Sequence, residues 1–451
     1  MKKQVKYPYV LTEIFLYLVC SVFLLFPGFH GYYFIQDEKA IAFFLIFGGY
    51  LGLMGLFTLE MIIGGWVKPV SPIVLWKKAS WAQRFAVFYA AFSLLSTILS
   101  PYQQWAWIGM SRYEGMISIG LYCGVFLCVS VFARTQKRMW NVFACSMIVF
   151  CGICMLQMMG YNPLWLYPDG LNYFDANKLY AGIYLGTIGN ADLVASLLCL
   201  VIPAFSFRIV NDRREPDVLM ITAAVLCTVV LIWMDVKAGV FGMAAGIWCS
   251  LPRLVPVSKR ERRGLRAAVF GGILLSLAVI WLFPFDGMLY EANQLLHGNW
   301  NDQFGSGRVY IWKQVLQRVP SQLLFGSGPD TMMSAGIEGF GFTGETGQTF
   351  GTFVDTAHNE YLNVLFHQGI FAMLSYIGIL ITCVGKWLCQ NKWERHMAGL
   401  GCGILCYCVQ AMFGLSMCMT AGIFWVMLGV FENSLNKAAK GSSLCRSGNT
   451  Y

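Results

Sequence analysis

Charge is scarce in this chain. Asp, Glu, Lys and Arg make up 12% of its 451 residues, against 57% apolar, where an ordinary soluble protein carries about 25% charge. So little charge does not solvate a globular surface of this size, which excludes a soluble enzyme and makes an integral membrane protein the default. Cysteine is missing from the two long polar connections, residues 161–189 and 286–357. Most of the 16 cysteines fall in apolar runs, where a thiol is a small buried apolar group, so no disulfide framework is implied. The C-x-x-C at Cys151 and Cys154 has no His or acidic neighbours, which argues against a redox or zinc site. There is no internal repeat, low-complexity segment or heptad run. Aromatics, by contrast, are plentiful, with 34 Phe, 15 Trp and 21 Tyr, as interfacial belts require.

Apolar stretches of about 20 residues place spans near 10–29, 40–62, 82–100, 114–133, 139–160, 190–210, 217–235, 237–255, 266–285, 358–385, 397–415 and 419–433. The expected fold is an all-α integral membrane bundle of twelve spans with both termini on one side. The first run is an anchor, because further spans follow it and a removable signal would leave a soluble chain. With the N-terminus inside, 25 of the 32 basic residues fall on the cytoplasmic side, as the positive-inside rule demands. The net charge of +9 is thus spent on orientation, not on nucleic acid. Seven cations remain outside: Lys39, Arg112, Lys178, Lys237, Arg308, Lys313 and Arg318. They face 15 of the 23 acidic residues, so any external anion site must be local. The chain divides into a bundle over 1–285, an external loop subdomain over 286–357, and a second bundle with a cytoplasmic tail over 358–451.

The external loop holds the chemistry. Val309, Trp312, Val315, Leu316 and Val319 recur at helical spacing until Pro320, which predicts a short amphipathic helix at the membrane surface. Arg308 opens it beside Gly305 and Gly307, where a guanidinium either snorkels or binds phosphate bidentately. The turn Phe325-Gly326-Ser327-Gly328-Pro329-Asp330 lacks the Gly-Lys-Ser/Thr ending of a nucleotide loop. Gly336 to Gly351 reads as a lid or acceptor-admitting loop. Asp355-Thr356-Ala357-His358-Asn359-Glu360-Tyr361 runs into the tenth span, with Thr356 or Asp355 as its cap. His358 then sits in a first helical turn, where the helix dipole favours the neutral ring that a general base needs, and Asp355 or Glu360 orients it. Asn359, Asn363 and His367 form a polar stripe down the same span. Asp235 and Lys237 make either a local ion pair or half of an anion site. Asn190 opens the sixth span as a cap, and Arg112 is expected to pair with Glu114.

Three segments together resemble the O-antigen ligase and O-antigen polymerase family: Gly189-Asn190-Ala191-Asp192 with Leu200-Val201-Ile202-Pro203; Arg308, Trp312, Pro320 and Phe325-Gly326-Ser327-Gly328; and Asp355 to Leu362 with Gly369. The resemblance spans about residues 105–385. It implies a type C glycosyltransferase of the cytoplasmic membrane that works without metal or cofactor. Such an enzyme takes a glycan from a polyprenyl, usually undecaprenyl, diphosphate on the outer face and joins it to a glycan, lipid or protein acceptor. By the same resemblance His358 is the base toward the acceptor and Arg308 binds the diphosphate. Asp355, Asn359, Glu360, Arg112, Asn190 and Trp312 support them. Lys237, expected to bind the diphosphate with Arg308, stands where the family usually has an arginine, and Asp192 where it usually has Asn. The competing readings are a transporter or flippase of lipid-linked oligosaccharide, with Glu13, Glu60 and His367 as its few intramembrane ionisable groups, and a non-catalytic assembly factor.

Overall fold

The computed structural model describes residues 6–447 apart from 169, 181–183, 211–214, 338, 340–341, 344–348, 351–352 and 391–393. Lys2, Lys3, Arg213, Arg214, Lys392 and Asp169, and much of the glycine-rich stretch 336–351, lie outside the described residues. The helices in chain order are α1 Tyr7–Leu18, α2 Ile35–Phe43, α3 Gly49–Ile63, α4 Pro72–Lys78, α5 Trp81–Leu99, α6 Gln103–Ala106, α7 Met116–Phe132, α8 Lys137–Met158 and α9 Tyr173–Tyr180. They continue with α10 Ala191–Ser206, α11 Val218–Trp233, α12 Lys237–Leu254, α13 Lys259–Leu282, α14 Met288–Leu296, α15 Arg308–Arg318, α16 Glu360–Cys389, α17 Arg395–Gln410 and α18 Cys418–Ser447. A two-residue ladder, Phe342–Thr343 against Thr349–Phe350, is the strand pairing among the described residues.

Each apolar stretch of the sequence coincides with a helix, since a chain without water as hydrogen-bond partner must satisfy its backbone internally. Among the described residues six helical segments are long and apolar enough to cross a membrane, and four more are shorter and apolar. The fold is therefore that of a multi-pass membrane protein. Helix α13 shows the solvent it needs: only 6% of its apolar window is buried, and Leu274, Leu275 and Leu282 stand exposed, an arrangement that hydrocarbon tolerates and water does not.

Two packing devices fix the frame around the site. Gly239, Gly242 and Gly246 line one face of α12 where it meets α10 and α17. A Cβ on Gly242 would strike the backbone of Gln410, and one on Gly246 that of Cys406, so small residues let the helix axes approach closely. The second device is a break in α16. Gly369 adopts φ +81° and ψ −179° inside the helix, a conformation that is essentially reserved for glycine. The loop after α15 closes over the freed backbone groups. Ile370 N–H donates to the Leu323 carbonyl at 2.8 Å, Gly328 N–H to that of His367 at 2.8 Å, and Ser327 N–H to that of Phe366 at 3.1 Å. The Phe325–Asp330 turn is thus a clasp across a broken helix. Val315, Val319, Met332, Ile337, Val354, Ala357 and Phe366 form a small apolar core beneath it.

Candidate functional site

Four chain segments meet at the N-terminal end of α16. The first is the connection before α7, which carries Arg112. Its backbone is gathered around one carboxylate: Asp330 Oδ2 accepts from Arg112 N–H at 2.8 Å and Ser111 N–H at 3.3 Å, and Oδ1 from the Ser111 hydroxyl at 3.2 Å. Asp330 is buried, has φ +52°, and burial pushes its carboxyl above the ordinary range against the pull of those N–H groups and of Arg112. So held, the Arg112 guanidinium grips Asp355 bidentately, Nε to Oδ2 at 2.9 Å and Nη2 to Oδ1 at 3.0 Å. Asp355, and not Glu114, is therefore the partner of Arg112. Glu114 accepts instead from the Tyr122 hydroxyl at 2.6 Å.

The second segment carries His358. Helix α16 starts at Glu360 with Asn359 as its cap, its side chain accepting from Leu362 N–H at 3.0 Å. Neither Thr356 nor Asp355 is the cap, and His358 lies ahead of the helix with φ +47°, not in its first turn. The chain before it is clamped from both sides. Trp312 Nε1–H donates to the Ala357 carbonyl at 2.9 Å, and Ala357 N–H donates to Asn363 Oδ1 at 3.0 Å. Neither expected carboxylate orients the ring by a hydrogen bond. Asp355 is engaged with Arg112, and Glu360 accepts from the hydroxyls of Tyr376 and Tyr407. Among the described residues, buried His358 Nδ1 has no hydrogen-bond partner. Burial, with Arg112 and Arg308 close by and Asp355 opposing them, lowers the ring pKa from 6.5 to about 4. The ring is neutral at physiological pH for that reason.

The third and fourth segments are the starts of α15 and α10. Gly307, at φ +84°, turns the chain into α15, and Arg308 is the first helical residue. Its Nη1 donates to the Gly305 carbonyl at 3.0 Å, and its Nη2 lies 3.7 Å from Asp192 Oδ2. Arg308 Nε is buried without a partner among the described residues. Asn190 caps α10, its side chain accepting from Asp192 N–H at 2.9 Å, and so sets Asp192 in the first turn. Lys237 stands apart: its Nζ is 2.6 Å from both carboxylate oxygens of Asp235, the local ion pair, and its side chain is 57% exposed. The charges acting on His358 are Arg112, Arg308 and Asp355.

Asp330 and Asn363 are absent from the sequence-derived site residues. Asn363 was visible only as part of a polar stripe. An acidic residue closing a glycine-rich turn was the available signal for Asp330, yet its partners are more than 200 residues away in the chain.

A neutral imidazole beside two guanidinium groups, at the helix ends of a multi-pass membrane protein, suits transfer of a group away from an anionic leaving group. Residues 222–377, the segment that holds Arg308, Trp312 and His358, match the O-antigen ligase family. The match supports an enzyme of O-antigen ligase or polymerase type, which in general joins a glycan from a lipid-linked donor to an acceptor. No curated protein matches the chain.

Proposed function

We propose that this protein transfers a glycan from polyprenyl diphosphate to an acceptor hydroxyl or amide on the outer face of the cytoplasmic membrane, as O-antigen ligase or surface-polysaccharide polymerase. The observation that supports it best is the pair of buried polar atoms, His358 Nδ1 and Arg308 Nε, which lack partners among the described residues in one charged cluster. Buried polar groups in folded proteins are normally satisfied, so an unpaired basic nitrogen beside an unpaired guanidinium N–H is a place for substrate atoms.

In this reading His358 takes the proton of the acceptor, which attacks the anomeric carbon as the bond to the carrier diphosphate breaks. Arg308 and Arg112 face the leaving diphosphate, whose negative charge grows in the transition state. The segment 286–357 forms the outer subdomain over this site. Lys237 acts on the diphosphate only by releasing Asp235.

The test is a transfer assay with purified protein and a synthetic undecaprenyl-diphosphate-linked glycan. His358→Ala and Arg308→Ala each lower the transfer rate, by about 10²–10⁴-fold for the base, while donor binding survives in the His358 variant. Undiminished transfer by both variants removes the proposal. Movement of the glycan across a vesicle membrane without any covalent product establishes the flippase reading instead.

A further inference from the structure

The charged cluster contains an anion of its own at the start of α10. Asp192 Oδ2 lies 3.7 Å from Arg308 Nη2. The charges that act on the Asp192 carboxylate are Arg308 and Arg112, the same two guanidinium groups that act on His358. We infer that Asp192 is a resident counter-ion of the diphosphate site, competing with the carrier diphosphate for Arg308 and so speeding release of the spent carrier. The inference rests on the transfer reading above.

The two carboxylates that face these cations are held very differently. Asp355 is gripped by Arg112 bidentately, at 2.9 and 3.0 Å, the geometry of a fixed structural pair. Asp192 meets Arg308 at a distance beyond a hydrogen bond. Arg308 spends Nη1 on the Gly305 carbonyl at 3.0 Å, and its buried Nε has no partner among the described residues. Both side chains are partly accessible, 21% for Arg308 and 24% for Asp192. A loose ion pair of this kind contributes little to stability, so an incoming phosphate exchanges with the carboxylate at small cost.

The main chain keeps Asp192 in place while its side chain is free to yield. Asn190 Oδ1 accepts from Asp192 N–H at 2.9 Å and from Leu193 N–H at 3.3 Å. On the other side, Gln410 Nε2 donates to the Asp192 carbonyl at 3.5 Å. The first turn of α10 favours a negative charge. The carboxylate therefore stays ionised beside the site after a phosphate has taken Arg308, and repels that phosphate from there.

The chemistry of the carrier gives this repulsion a direction. In the donor both phosphates are esterified, one to the sugar and one to the polyprenyl chain. Once the glycan has left, the terminal phosphate is free and gains roughly one further negative charge, because its second pKa lies near 6. Two guanidinium groups by themselves hold the spent carrier more tightly than the donor. A carboxylate beside them repels the product more strongly than the donor, for the same reason of charge, and offsets that preference.

The test measures binding of undecaprenyl diphosphate, and of the uncharged alcohol undecaprenol, by the full-length protein in lipid nanodiscs, together with product inhibition of transfer. Asp192→Asn, which keeps the side-chain shape and removes its charge, binds undecaprenyl diphosphate roughly three- to tenfold more tightly than wild type. Its inhibition constant for that product falls by a similar factor, and undecaprenol shows no gain. Asp192→Ser, a second neutral variant, follows Asp192→Asn, whereas Asp192→Glu binds the diphosphate no more tightly than wild type. The proposal is overturned if the neutral variants bind the diphosphate as wild type does or more weakly, the result of a residue that merely places Arg308. It is also overturned if they gain equally for both probes. Failure of wild type and every variant to bind undecaprenyl diphosphate, with transfer absent, removes the transfer reading and the proposal together. Transfer by wild type with diphosphate binding indifferent to Asp192 removes the proposal alone.

Discussion

At the scale of single residues, His358 is the most informative side chain, because its chemistry is set by neighbours far away in sequence. Burial, aided by two guanidinium groups, lowers its pKa to about 4. Protonation inactivates a base, so kcat/KM, which reports the free enzyme, is expected to fall only as pH drops through about 4. A bound diphosphate brings negative charge to the same place and raises the ring pKa, so the acid limb of kcat lies at higher pH than that of kcat/KM. Arg308→Ala removes one of the depressing charges and moves the kcat/KM limb upward toward 6.5; a pH profile of the variant checks this. The same shift bears on stability. Because the folded-state pKa lies below the ordinary 6.5, the folded chain binds fewer protons than the unfolded one in that interval, and stability from this group falls as pH drops from 6.5 toward 4. Asp355→Asn weakens the bidentate grip on Arg112 and lowers affinity for the diphosphate-linked donor through misplacement of the guanidinium. It is read as a raised KM for donor.

At the scale of elements, the clasp across α16 decides whether these residues meet. Gly369→Ala places a Cβ against the Leu324 carbonyl and forces φ +81° on a residue that rarely adopts it. The strain alone is on the order of 1–3 kcal/mol, and a lowered thermal midpoint of the purified protein is the readout. Asp330→Asn keeps the side-chain shape but removes the charge that gathers Ser111 and Arg112. Hydrogen bonds to charged groups contribute about 1.5–3 kcal/mol, so transfer falls more steeply than expression, and Asp330→Glu restores part of it. Much of this was legible in the sequence as punctuation: Gly307 before Arg308, Asn190 before α10, and the turn after α15. What the turn does was not legible. A glycine-rich loop looks the same whether it binds a ligand or crosses a gap in another helix, and only the partner at Gly369 tells them apart.

At the scale of the whole molecule, charge sorted by side predicts topology. A topology of twelve spans with both termini cytoplasmic is the expected one; it would place Arg308 and the 286–357 segment outside, and single-cysteine labelling of Ser306→Cys and Ser258→Cys in a background freed of reactive cysteines checks it. Reagent that does not cross the membrane labels Ser306→Cys in intact cells and Ser258→Cys only after lysis; the reverse pattern inverts the topology. Helix α13, with its exposed apolar surface, needs lipid around it. Detergent removal in the absence of added lipid is expected to aggregate the protein, which light scattering detects.

The sequence by itself determined the solvent, the helical stretches and the family resemblance, because hydropathy, span length and short motifs are local properties of the chain. It also singled out Arg308 and His358. Which charges pair was decided only by the tertiary structure. Arg112 chose Asp355 over nearby Glu114, Glu360 turned to Tyr376 and Tyr407, and Lys237 stayed with Asp235. Ion pairs depend on separations of a few ångströms in a poorly screened interior, and those separations are fixed by how α2, α7, α10, α15 and α16 pack, not by the order of residues along any one of them.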